Sequence, residues 1–233
     1  MAKNYAANLQ PEIALENYKK VLNENPNRIL TAVDYGELLV KTGKLKAADS
    51  LFKVLSKKYP RNASFKYQQG LIKKKLKDST AMHYFTYTIM LDTTHQAALY
   101  KVAKDNLRNR QYTMAEHYSK RGLRANPNNP SLLSILAQTY AEYLSLGLTY
   151  KMQEKHKDAL DYFNKSLEEN PDNERALYER AVAADNYMVD DETVIGYYQA
   201  YFNKYESIGN DGMLYRAKIR ISDLKKKIHL AGN

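Results

Sequence analysis

Small, large and helix-ending residues recur along this chain at fixed intervals. In residues 36–60, Gly36 is followed twelve places later by Ala48, four after that by Phe52, and eight further on by Pro60. Residues 147–171 carry the same series as Gly147, Ala159, Phe163 and Pro171. The Ala-to-Pro interval of twelve also joins Ala14 to Pro26 and Ala115 to Pro127, and Ala81 keeps it with Thr93 in place of the proline. A spacing shared by segments this far apart in sequence marks an internal repeat. Each unit reads as two helices. Gly36 and Ala48, with Gly122, Ser166 and Ala200 in second helices, let the pair approach closely. Tyr18, Phe85, Phe163 and Tyr197, at the Phe52 position, fill the remaining space. The closing proline cannot continue a helix and turns its predecessor away from helical angles.

With five copies in near-constant register over essentially the whole chain, the sequence resembles the tetratricopeptide repeat family, whose helix–turn–helix unit recurs every 34 residues. The resemblance implies an all-α fold, a right-handed α-solenoid of such repeats with a C-terminal capping helix. Units are expected at residues 1–27, 28–61, 62–94, 95–128, 129–171 and 172–206, with the cap at 212–229. Because repeats bury their apolar faces only against neighbours, the array counts as one elongated domain.

Residues before Gln10 hold only the end of a first helix, with Tyr5 as its packing aromatic. A unit lacking half its first helix fits an upstream signal peptide or helix that has been removed, and with it a cell-envelope or periplasmic location. Met1 as the native start fits the cytoplasm equally. Gly43 is expected to make the turn in the second repeat. The third carries Gln69 and Lys73 where apolar residues are expected. Residues 127–171 span ten more than the family period, and two first-helix signatures occur there, Leu136/Ala137/Tyr140 and Leu146/Gly147/Tyr150. They read as one helix over about 131–155 with the signatures offset by roughly 80°, or as two fused repeats. Near the end, Leu214, Ala217, Ile221, Leu224 and Ile228 form an apolar stripe opposite Arg216, Arg220, Lys225, Lys226 and Lys227, as expected of a helix closing the open end of an array.

Charge refines this picture. The net charge is +10, yet residues 53–124 hold 16 Lys/Arg against 4 Asp/Glu, so the middle repeats carry the whole excess. Such a region favours acidic partners. The chain has no cysteine, which excludes disulfides and thiolate chemistry. No apolar run approaches the ~20 residues of a membrane span. The five histidines are scattered, phosphate-binding glycine loops and nucleophile elbows are lacking, and the acidic run at Asp190 is not a calcium loop. The chain therefore reads as no enzyme, with no cofactor and no metal.

In the family it resembles, the first helices line a groove that holds an extended peptide or a partner helix. On that pattern the groove residues would be Tyr67, Leu71 and Lys74 in the third repeat and Tyr100, Lys101, Lys104 and Arg108 in the fourth. Leu148 and Lys151 follow in the fifth, and Arg175, Tyr178 and Val182 in the sixth. Tyrosine and arginine suit such a surface, offering large contact area and charge-assisted hydrogen bonds to carboxylates. Family members that grip a terminal carboxylate use asparagines and cations at places occupied here by Val33, Glu37, Gln68, Ala97 and Lys101, so that use is not expected. The reading is a scaffold binding an acidic protein or peptide segment in a basic, tyrosine-rich groove. Nucleic acid stands second, with Lys/Arg for phosphates and Tyr for stacking. A third reading is self-association through the N-terminal repeat.

Overall fold

In a computed structural model, which describes residues 10–168, 170–188 and 190–231, every regular element is a helix. In chain order these are α1 (Pro11–Glu24), α2 (Ile29–Lys41), α3 (Leu45–Lys58), α4 (Ala63–Lys75), α5 (Ala81–Leu91) and α6 (Gln96–Arg108). Then come α7 (Tyr112–Ala125), α8 (Pro130–Met152), α9 (His156–Leu167), α10 (Glu174–Tyr187), α11 (Asp191–Tyr205) and α12 (Asp211–Ala231). Helices α1 to α5 each pack on the next, and so do α8 to α12. The all-α class expected from the repeats is thus the one found among the described residues. Tyr5 lies outside the described residues.

The glycine spacing has a direct physical cause. A Cβ on Gly36 would come within 2.6 Å of the Phe52 ring, one on Gly70 within 2.7 Å of Phe85, and one on Gly147 within 2.6 Å of Phe163. All three rings are fully buried, as are Ala48, Ala115 and Ala159. These three hairpins close where a ring of the second helix meets the bare backbone of the first. In the fourth repeat Ala103 and Ser119 occupy the corresponding places, both fully buried. Volume added on one side there accompanies volume removed on the other.

Four of the hairpin turns contain one left-handed residue. Gly43 supplies it at φ +78°, and Lys77, Arg110 and Glu154 take the same region at φ 57–59° without that freedom. Between hairpins, where Thr93 replaces the proline, the Asp92 side chain organises the turn instead. Its Oδ1 accepts from Thr94 N at 3.0 Å and from Thr94 Oγ1 at 2.9 Å. These bonds hold its carboxyl below the usual range against the opposing effect of burial.

Three departures from strict periodicity are resolved by side-chain pairing or helix length. Gln69, unexpected in a core position, is buried with its Oε1 accepting from Ser56 Oγ at 2.8 Å. Lys73 reaches Asp49 at 3.0 Å and Asp78 at 3.4 Å. In the sixth repeat, Val194, Tyr198, Tyr201 and Tyr205 are buried, whereas Ala200 is exposed and Tyr197 half-buried. The expected pair Tyr197/Ala200 is therefore displaced by one. Helix α10 runs six residues past Ala181, while α2 and α8 run five past Gly36 and Gly147, so the second helix enters one residue late. The long segment is a single helix of 23 residues, α8, whose added first part buries Leu132, Ile135, Leu136 and Thr139.

The chain falls into two compact units. The first comprises residues up to Asp105 together with Tyr118–Asn129, and the second comprises Asn106–His117 with Pro130 onward. In the second unit α12 covers α11 through Ala217, Ile221 and Leu224. Its basic side is not wholly free. Arg220 makes a bidentate pair with Asp185 on α10, at 2.7 and 2.8 Å, and Lys227 reaches Asp191 at 2.7 Å.

Candidate functional site

The residues singled out from the groove pattern divide by unit. In the first, α6 buries Ala98, Leu99, Val102 and Ala103 against its neighbours, which leaves Tyr100, Lys101 and Lys104 on its other side. The Tyr100 ring is half-buried and carries two ammonium groups, Lys101 at 5.7 Å and Lys104 at 5.4 Å from its centroid. Lys104 Nζ also donates to the Tyr100 hydroxyl at 3.0 Å. Among the described residues neither lysine has a carboxylate partner. The i, i+4 spacing of Tyr100 and Lys104 on one helix produces this arrangement.

On α4, Tyr67 is anchored by packing as well as displayed. Its ring stands 4.8 Å from His95 and 5.6 Å from Phe85, and burial pushes its phenol pKa up. Leu71 packs half-buried against the cluster that holds Ala98, Leu99 and Val102, while Lys74 is exposed. Glu37, the negative group of the second repeat, accepts from Gln68 Nε2 at 3.1 Å. Tyr67 and Leu71 thus share a hydrophobic cluster with α6, the helix that bears the two free lysines.

In the second unit, Arg108 and Arg175 are exposed and Leu148 packs half-buried against the Phe163 cluster. Tyr178 is half-buried, 5.4 Å from the Tyr201 ring and 6.5 Å from Tyr198, and burial raises its phenol pKa. Val182 belongs to the same cluster. Lys151 donates to Glu179, which is only 8% exposed, so this cation is neutralised within the fold.

Several polar groups gave no signal in the sequence. Glu116 accepts from the hydroxyls of Tyr140 (3.2 Å) and Tyr143 (2.8 Å). The Arg180 guanidinium lies 4.8 Å over the Tyr197 ring, and burial lowers its pKa. A cavity of about 350 Å³ opens beside the added part of α8, lined by Leu133, Leu136, Ala137, Tyr140, Asn170 and Asn173 among others. Such features join residues far apart in sequence, so no local spacing announces them. Among the described residues no group of three or more metal-ligating side chains is gathered, and no helix is long and apolar enough to cross a membrane.

Residues 140–173 match the tetratricopeptide repeat model. The match starts at Tyr140, so the ten residues of α8 before it precede the repeat proper. A search of curated proteins gives no match. Among solved structures, a tetratricopeptide repeat protein from Parabacteroides merdae aligns over 100% of this chain and 91% of its own, at 17% identity and a TM-score of 0.53. The C-terminal part of a TPR repeat-containing protein from Cytophaga hutchinsonii aligns over 96% of this chain and 93% of its own, at 17% identity and a TM-score of 0.45. PilW, described as a widely conserved type IV pilus biogenesis factor, aligns over 92% and 94%, at 18% identity and a TM-score of 0.47.

Proposed function

We propose that this chain, a tetratricopeptide repeat protein by its fold and by the repeat at residues 140–173, binds an acidic segment of a protein partner on the face formed by Tyr100, Lys101 and Lys104. The fold supports a protein-interaction scaffold. The observation that carries the finer reading is the pair of unneutralised ammonium groups gathered over one half-exposed tyrosine ring. Several cations of this chain are neutralised within the fold, as Lys73, Lys151 and Arg220 are. Among the described residues Lys101 and Lys104 have no carboxylate partner, which leaves their charge for a guest.

The chemistry follows from the geometry. A partner carboxylate placed above Tyr100 would accept charge-assisted hydrogen bonds from both ammonium groups, and the ring would cover the apolar stem of the same side chain. Tyr67 and Leu71 extend apolar contact along α4, with Lys74 one turn further on. In the second unit Arg108, Arg175 and Tyr178 offer similar groups. Lys151 contributes structure there rather than contact, because Glu179 holds it.

Affinity capture from lysate, with and without nuclease treatment, tests the reading. The wild-type chain should retain a protein partner. The double substitution Tyr100→Ala with Lys104→Glu should lose it while leaving the thermal melt nearly unchanged. A retained set made up only of nucleic acid, or an unaltered protein set in the double variant, would overturn the assignment.

A further inference from the structure

A second cluster of donors lies on α4 and α5. Lys66, His83, Tyr84 and Tyr87 line a cavity of about 170 Å³. Lys66 directly precedes Tyr67, and one residue turns a helix by about 100°, so the two side chains leave α4 in different sectors. The Lys66 ammonium lies 5.3 Å from the Tyr87 ring centroid, which fixes the cation at the cavity wall. The His83 ring stacks on Tyr87 at 6.4 Å with 24° between planes, and meets Tyr84 edge-on at 6.0 Å.

Three properties set this cavity apart. No carboxylate lines it. Among the described residues, none of its four polar side-chain ends has a hydrogen bond or an ion pair. Each of those ends can donate: an ammonium, an imidazole N–H and two phenol O–H groups. A cation and three further groups able to donate, with no carboxylate in the lining, suit an anion. The surrounding residues 53–124 carry 16 basic against 4 acidic side chains, a balance that favours an anionic ligand.

We propose that Lys66, His83, Tyr84 and Tyr87 form a binding site for a phosphate monoester dianion. A carboxylate offers two oxygens, whereas a monoester offers three terminal oxygens and a charge of about −1.5 to −2, which suits several donors and one fixed cation. The aromatic walls favour a phosphoryl group carried on a ring or an aliphatic stem over a bare ion. This inference is independent of the Tyr100 face, and either can fail without the other.

The test is titration of the full chain, followed by NMR at the His83 imidazole and the Tyr87 ring, with phenyl phosphate, inorganic phosphate, dimethyl phosphate and benzoate. Phenyl phosphate should shift both signals saturably and at lower concentration than benzoate or dimethyl phosphate. Lys66→Met and Tyr87→Phe should each weaken that binding about tenfold or more, as expected for hydrogen bonds to a charged group. The second variant removes one hydroxyl only and keeps the ring packing. Inorganic phosphate binding more weakly than phenyl phosphate assigns the group to a side chain or metabolite ester, and equal binding assigns the same site to free phosphate. No saturable shift, undiminished binding in both variants, or benzoate or dimethyl phosphate binding as tightly as phenyl phosphate would each overturn the proposal.

Discussion

Gly36, Gly70 and Gly147 show how one residue sets a helix crossing, and they make a prediction with a sign. Glycine inside a helix ordinarily costs about 1 kcal/mol relative to alanine. At Gly196 in α11 a Cβ would meet nothing within 4 Å, so Gly196→Ala should stabilise by about that amount. At Gly147 the Cβ would meet the fully buried Phe163 ring at 2.6 Å, and Gly147→Ala should destabilise by about 1–3 kcal/mol through overpacking. Urea midpoints of the two variants check this, and shifts of the same sign would contradict it. Gly43→Ala belongs to a different mechanism. Space there is open, but the left-handed backbone costs a side chain about 1–2 kcal/mol. Gly36 and Gly147 were legible in the sequence because steric exclusion leaves a fixed spacing. The pairing of Gln69 with Ser56, 13 residues away, was not, since a buried hydrogen bond imposes no periodicity.

Among the elements, the closing helix α12 was readable from its apolar stripe, while its anchorage was not. Arg220 sits on the side that looked solvent-facing, yet it holds Asp185, whose side chain is 14% exposed and also accepts from the Tyr198 hydroxyl at 3.1 Å. Replacing Arg220 with Met leaves that carboxylate with the phenol alone. The arginine side chain is 43% exposed, so solvent screening keeps the loss on the order of 1–2 kcal/mol. Faster amide hydrogen exchange confined to α12 and the end of α10 would register it, and unchanged exchange there would argue that the stripe alone holds the helix. Helix α10 teaches a related lesson. One extra residue before its turn moved the buried set of α11 from Tyr197 and Ala200 to Tyr198 and Tyr201, and a count at constant period cannot sense where a helix stops.

For the molecule as a whole, buried tyrosines tie stability to pH. Burial raises the phenol pKa values of Tyr143, Tyr198 and Tyr201, with Glu116, Asp185 and Glu174 adding to the effect, and burial likewise raises Tyr67, Tyr112, Tyr162 and Tyr178. A group whose folded pKa is raised contributes stability that is complete below its unfolded value, about 10 for tyrosine, and is lost as pH climbs toward the folded value. The melting temperature should therefore hold steady from neutral pH to about 9 and fall steeply above about 10, with tyrosinate absorbance rising as the chain unfolds. A flat profile there would contradict the burial described for these rings. The proposed binding face was partly legible: the helical spacing of Tyr100, Lys101 and Lys104 placed them off the core, but Lys151 looked equally free until the fold brought Glu179, 28 residues away, against it. The most direct measurement replaces Lys104, and separately the exposed Lys57 on α3, with the photo-crosslinking residue p-benzoylphenylalanine, followed by irradiation in a nuclease-treated lysate. The account predicts a protein adduct from position 104 and none from position 57, and an adduct from 57 alone would contradict it.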